Sequence, residues 1–92
     1  MRLRWTEPAY LDLQIICDFV ADRDGEEAAR RIALKICDGL ASLADFPRKG
    51  RPGRTAGTRE LVFKDLPWLA VYRICEDRIE INRILHGAQR FP

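Results

Sequence analysis

Apolar positions along this chain change period twice, and the changes divide it into elements. "RLRW" at residues 2–5 is short enough for an edge strand. Thr6 then reads as a helix N-cap, with Glu7 and Pro8 in the first turn, where an acid and a proline both fit. Ala9, Leu13, Ile16 and Val20 recur at helical spacing, flanked by Tyr10, Cys17 and Phe19, while Asp12 and Asp18 fall off the stripe. The spacing predicts an amphipathic helix to about residue 21. "DRDGEEAARR" interrupts it, and Asp24 with Glu27 three residues on predicts a capping box that starts a second helix. Ala29, Ile32, Ala33, Ile36, Leu40 and Leu43 form its stripe, which ends near Asp45. Two helices with a short break predict a helical hairpin, each helix with one apolar stripe to bury.

"PRKGRPGRTAG" (47–57) predicts a mobile, basic loop. It lacks the GxxxxGK[ST] spacing and the preceding strand of a phosphate-binding P-loop. The period then falls to two. "TRELVF" (58–63) places Arg59, Leu61 and Phe63 on one face, and "WLAVYRIC" (68–75) is apolar on both, as in a central strand. "RIEINRIL" (78–85) places Ile79, Ile81, Arg83 and Leu85 on one face, with Glu80, Asn82 and Ile84 on the other and His86 next in phase. The connectors "KDLP" and "EDR" suit hairpins. The predicted fold is α+β, in the order β-α-α-β-β-β, with a helical hairpin packed on one face of a small, mostly antiparallel sheet.

Composition narrows the possible functions. Ninety-two residues predict a single domain over 1–92 with one modest core. No run approaches the roughly 18 apolar residues of a membrane helix. The start, "MRLRWTEP", has no apolar signal-peptide core, so a cytoplasmic protein without a membrane partner is expected. Cys17, Cys37 and Cys75 have no metal-ligand spacing and lie in apolar stretches, so no metal site or cofactor is expected and the three read as core residues. Residues 1–47 hold six Lys/Arg against nine Asp/Glu, and residues 48–92 hold ten against five. A basic C-terminal half suits an acidic partner.

Several local patterns, in the same element order, resemble one family. "LRWTEPAYLDLQIICDFVA" resembles its first strand and helix, "GTRELVF" its central Gly-x-Arg-Glu motif, and "VYRI", "IEINRILHG" and "QRFP" its last strands and tail. From Leu3 to Pro92 the chain resembles the ParE branch of the ParE/RelE toxins of type II toxin–antitoxin modules. The resemblance implies a ParD-like antitoxin with a C-terminal segment that wraps the toxin, an oligomeric toxin–antitoxin complex, and DNA gyrase as the target. The related RelE branch instead cuts mRNA on the ribosome. A third possibility is a non-toxic relic that only binds its antitoxin.

Metal-free RNA cleavage needs an acid or base near neutral pKa and convergent Lys/Arg. Aligned with RelE-type toxins, the basic strand positions fall here on Glu60, Val62 and Leu69, and one near the tail on Gln89. Phe91 stands nearest the place of a catalytic tyrosine and cannot transfer a proton. No catalytic residue is therefore expected, with His86 the general acid/base only if the chain is a ribonuclease. The competing expectation for His86 is a strand-end histidine bonded to the turn that follows, where Gly87 would permit a backbone path closed to a Cβ. The candidates for contact with antitoxin or target are Arg59, Glu60, Arg73, Arg83, Arg90 and Phe91. Arg59 with Glu60 is expected as an ion pair, and Arg73 and Arg83 as partners of Glu60 or Glu80. Arg90 and Phe91 read as a binding anchor or a plug at the sheet edge. Trp5 and Trp68 read as core.

Overall fold

The computed structural model describes residues 1–87. The elements are β1 (Arg2–Trp5), α1 (Glu7–Asp24), α2 (Glu26–Ala41), a 3-10 turn at Ser42–Ala44, β2 (Arg51–Pro52), β3 (Arg59–Val62), β4 (Trp68–Ile74) and β5 (Arg78–His86). One five-stranded sheet has the order β1-β5-β4-β3-β2, with β1 parallel to β5 and the other pairs antiparallel. The expected α+β architecture is present. Its one addition is β2, a two-residue strand inside the segment expected to be loop throughout.

Thr6 begins α1 as expected. Its backbone is extended and its Oγ1 accepts from the Ala9 N–H at 3.3 Å. The same hydroxyl donates to the Ile81 carbonyl at 2.9 Å, so the cap also ties the helix to β5. Asp24 does not cap α2. The first helix runs on through Asp24, and the turn falls on Gly25, whose φ of 94° disfavours any side chain. No side chain caps α2, and Gly25 alone makes the reversal. At its other end α2 stops at Ala41 and tightens into the 3-10 turn, close to the predicted limit.

The core lies between the hairpin and one face of the sheet. Ala9, Ile16, Val20, Ala29, Ile36 and Leu40 meet Leu61, Phe63, Ala70, Tyr72, Ile79 and Ile81 there, with Trp5 and Trp68 packed at its margin. A β-bulge changes the predicted phase of β5. Val71 pairs with Arg83 but Tyr72 pairs with Ile81, which leaves Asn82 as the extra residue. Ile79, Ile81 and Ile84 therefore all reach the helices. Arg83 and Leu85, expected beside Ile81, turn to the opposite face, where Leu85 joins Leu69 and Val71 in a second small cluster. Strict alternation cannot foresee an inserted residue.

A single stripe per helix is also too few for α1. Leu11, Ile15 and Phe19, four residues apart and more than half exposed, form a second stripe on its outer face. Arg23 lies over the Phe19 ring at 5.4 Å.

Candidate functional site

The candidate residues cluster around the segment 47–54 and the sheet face away from the helices. Arg59 and Glu60 are successive on β3 and point to opposite faces, so they do not pair with each other. Arg59 pairs across the sheet with Tyr72, on the helix side, and Glu60 with Val71, on the open side. Arg59 donates through Nε to the Gly50 carbonyl at 2.9 Å and through Nη2 to the Arg48 carbonyl at 3.2 Å. The Glu60 carboxylate, only 2% exposed, accepts from Arg51 Nε and Nη2 at 3.2 and 3.1 Å and from the Arg54 N–H at 3.2 Å. The Tyr72 hydroxyl adds a third tie, donating to the Pro47 carbonyl at 2.7 Å and accepting from the Gly50 N–H at 2.9 Å. Gly50 is required at that point, since a Cβ would lie 2.7 Å from the Tyr72 hydroxyl. The segment expected to be mobile is thus bonded to the sheet by three side chains, although within residues 47–54 only Gly50 is buried.

The open face gathers the positions at which RNA-cutting chemistry was sought. Val62 pairs with Leu69, and Glu60 with Val71, so Glu60, Val62 and Leu69 share this face. None of them can transfer a proton to substrate: Glu60 is buried under Arg51 and Arg54, and the other two are aliphatic. Thr55, Thr58, Val71, Arg73, Arg83 and Leu85 line a shallow cleft of about 340 Å³ on the same side.

Arg83 finds neither Glu60 nor Glu80. It donates to Asp12 of α1, Nε to Oδ2 at 2.7 Å and Nη2 to Oδ1 at 3.1 Å. That hydrogen bond raises the guanidinium further above its already high ordinary pKa. Asp12 also accepts the Ile84 N–H at 2.9 Å, and so satisfies an edge amide of β5 beyond the reach of β1. Arg73 pairs in register with Glu80, but the Glu80 carboxylate is taken by the Asn82 amide at 2.9 Å, Arg78 at 3.6 Å and Arg4 at 3.9 Å. Half-buried Arg73 enters no ion pair among the described residues.

His86 pairs with Trp68, two residues on from the Ala70–Ile84 pair that faces the helices. Its ring meets the Trp68 ring edge-on at 6.4 Å between centroids. The histidine is therefore on the phase opposite to Arg73 and Arg83, and the three do not converge. The Gly87 N–H donates to the Pro67 carbonyl at 2.7 Å, and a Cβ on Gly87 would lie 3.4 Å from that oxygen, at ordinary contact. Glycine is not sterically required there. Gln89, Arg90 and Phe91 lie outside the described residues. Among those described, no group of three or more His, Cys, Asp or Glu could hold a metal ion, and no helix is long and apolar enough to cross a membrane.

Sequence reasoning missed Asp12, Arg51, Arg54 and Tyr72 as organisers of this region. Asp12 alone left a signal, as an acid between Leu11 and Leu13 in an otherwise apolar stretch.

Residues 3–91 match the family model described as the ParE toxin of the type II toxin–antitoxin system parDE. The putative toxin Y4kP of Sinorhizobium fredii is 40% identical over 91 residues, spanning 99% of this chain and 93% of the relative. Toxin RelE2 of Caulobacter vibrioides is 36% identical over 85 residues, spanning 92% and 93%. Among solved structures, a chain of the chromosomal ParDE toxin–antitoxin system from P. aeruginosa superposes with a TM-score of 0.88 at 31% identity, over 94% of this chain and 95% of that one.

Proposed function

Because this chain belongs to the ParE toxin family of type II toxin–antitoxin systems, we propose that it is a cytoplasmic toxin that inhibits DNA gyrase by binding, without bond-breaking chemistry of its own, and is neutralised by a ParD-like antitoxin. One observation carries the non-catalytic part. The open sheet face brings Glu60, Val62 and Leu69 together where convergent bases and cations would be needed, while His86 belongs to the other phase of the sheet. Glu60 holds two arginines, and Arg83 holds Asp12. A face so occupied supports recognition rather than proton transfer. The antitoxin is supported by the ParDE system to which the fold is similar, and by the exposed Leu11, Ile15 and Phe19, an apolar surface suited to burial by a partner. Arg73, which enters no ion pair among the described residues, and the tail residues Arg90 and Phe91 are the contacts we assign to antitoxin or target.

The ribonuclease reading keeps one specific support, the relative named RelE2. Expression of the toxin in bacteria, with chromosomal DNA and mRNA followed together, separates the two. Double-strand breaks that depend on gyrase, equal for the wild type and His86→Ala, support gyrase inhibition. Codon-phased mRNA cuts lost in His86→Ala overturn it, and harmless expression leaves a relic that only binds its antitoxin.

A further inference from the structure

The outer face of α1 is complementary to itself. Glu7, Leu11, Ile15, Phe19 and Arg23 recur every four residues and form one ridge along the helix, about 24 Å from end to end. Its order is an acid, three apolar residues and a cation. Leu11, Ile15 and Phe19 are more than half exposed, and Glu7 and Arg23 are exposed at the two ends. Neither charge enters an ion pair among the described residues. Arg23 lies over the Phe19 ring, which keeps its guanidinium on the same ridge.

We propose that the free chain pairs with a second copy through this ridge, antiparallel about Ile15. A two-fold axis there sets Ile15 beside Ile15, Leu11 of each copy beside Phe19 of the other, and Glu7 of each beside Arg23 of the other. A parallel arrangement would instead bring Glu7 to Glu7 and Arg23 to Arg23. Ridges of four-residue spacing pack with about 50° between the helix axes. Contact is therefore tightest at Ile15, and the long side chains of Glu7 and Arg23 reach across at the ends. Three apolar residues from each copy fall short of the roughly 1,200 Å² of a standard interface, so the dimer is weak and forms as concentration rises. Other occupants fit less well. An anionic lipid surface or a nucleic acid would meet Glu7, Asp18 and Asp22, all exposed, with Arg23 as the only cation of α1. This dimer goes beyond the proposed function, and an antitoxin that buries the same stripe would compete with it.

Sedimentation equilibrium of the full chain tests the pairing, with circular dichroism to show that each variant is folded. The wild-type chain should pass from monomer to dimer as its concentration rises. Ile15→Asp should abolish the dimer, and at a position 66% exposed it leaves no cavity. Glu7→Arg and Arg23→Glu, each alone, should weaken association about ten-fold. An equimolar mixture of these two variants should restore it, because opposite charges then meet at both ends. No recovery in the mixture, or a dimer undisturbed by Ile15→Asp, would overturn the proposal. A wild-type chain still monomeric at about 1 mM would overturn it too. If Ile15→Asp then loses a cognate antitoxin, the stripe belongs to that partner alone. No arm reads toxicity or gyrase, so failure here is distinct from failure of the proposed function.

Discussion

Asp12 and Arg83, 71 residues apart in sequence, are joined by two hydrogen bonds of 2.7 and 3.1 Å. The same carboxylate takes the Ile84 N–H at 2.9 Å, so it fixes α1 against β5 where β1 ends. The two partners are unequal. Asp12 is 13% exposed and serves three donor groups, whereas Arg83 is 49% exposed and keeps water as an alternative. Asp12→Ala should therefore cost about 1–3 kcal/mol, because it strands a backbone donor. Arg83→Ala should cost less than about 1 kcal/mol. Urea unfolding of both variants checks the order, and equal losses would mean that the Ile84 contact contributes nothing.

Glu60 is a structural residue on this account. Glu60→Gln keeps the shape but removes the charge held by Arg51 and Arg54, and should destabilise by about 1–3 kcal/mol. Trypsin should then cut faster at Arg54 in the native protein, the Arg51–Pro52 bond being resistant to it. Loss of partner binding with stability and proteolysis unchanged would instead make Glu60 a contact residue.

Tyr72→Phe removes one hydroxyl and two hydrogen bonds, to Pro47 and from Gly50, from a fully buried position. A loss of about 1–2 kcal/mol is expected, with faster exchange of the Gly50 amide. Hydrogen-exchange measurement on the two proteins decides it. Unchanged exchange at Gly50 would mean that Arg59 and Glu60 hold the segment without the tyrosine.

Burial pushes the Cys17 and Cys37 thiols above their ordinary 9.0, and the neighbouring carboxylates of Asp18 and Asp38 push the same way. Raising a thiol's pKa leaves less thiolate at neutral pH, so alkylation of both should be slow at pH 7 and keep rising with pH past 9 instead of levelling off there. The three cysteines are not the core residues expected, since Cys37 is exposed and Cys17 and Cys75 are half-buried. Fast, selective labelling of Cys17 or Cys37 at pH 7 would contradict the upward shift of their thiols.

The tail remains a prediction about function. Deletion of Arg90–Pro92 should abolish toxicity while the melting temperature stays within a few degrees of the full chain. Wild-type toxicity of the truncated protein would remove Arg90 and Phe91 from the list of contacts.

Element order, the Thr6 cap and both helical stripes were legible because each follows from local periodicity. The bulge at Asn82 was not, since an inserted residue leaves no mark in an alternating pattern, and it carried Arg83 and Leu85 to the unexpected face. Gly25 took the turn assigned to Asp24, since glycine adopts its φ of 94° without the steric cost a Cβ would bring. Partner choice was the least legible. Arg59, Glu60 and Arg83 were all singled out as charges on strands, but their bonds go to segment 47–54 and to Asp12, which only the folded chain brings near. Arg73 alone of those described keeps the uncommitted guanidinium expected of a contact residue.

The central claim is inhibition of gyrase by binding alone. Purified toxin, gyrase, ATP and supercoiled plasmid test it most directly, with and without a cognate antitoxin. Gyrase-dependent linear DNA should accumulate with the wild type and equally with His86→Ala, and should vanish when antitoxin is added. Unchanged gyrase activity, together with His86-dependent cleavage of mRNA on ribosomes, would contradict the account.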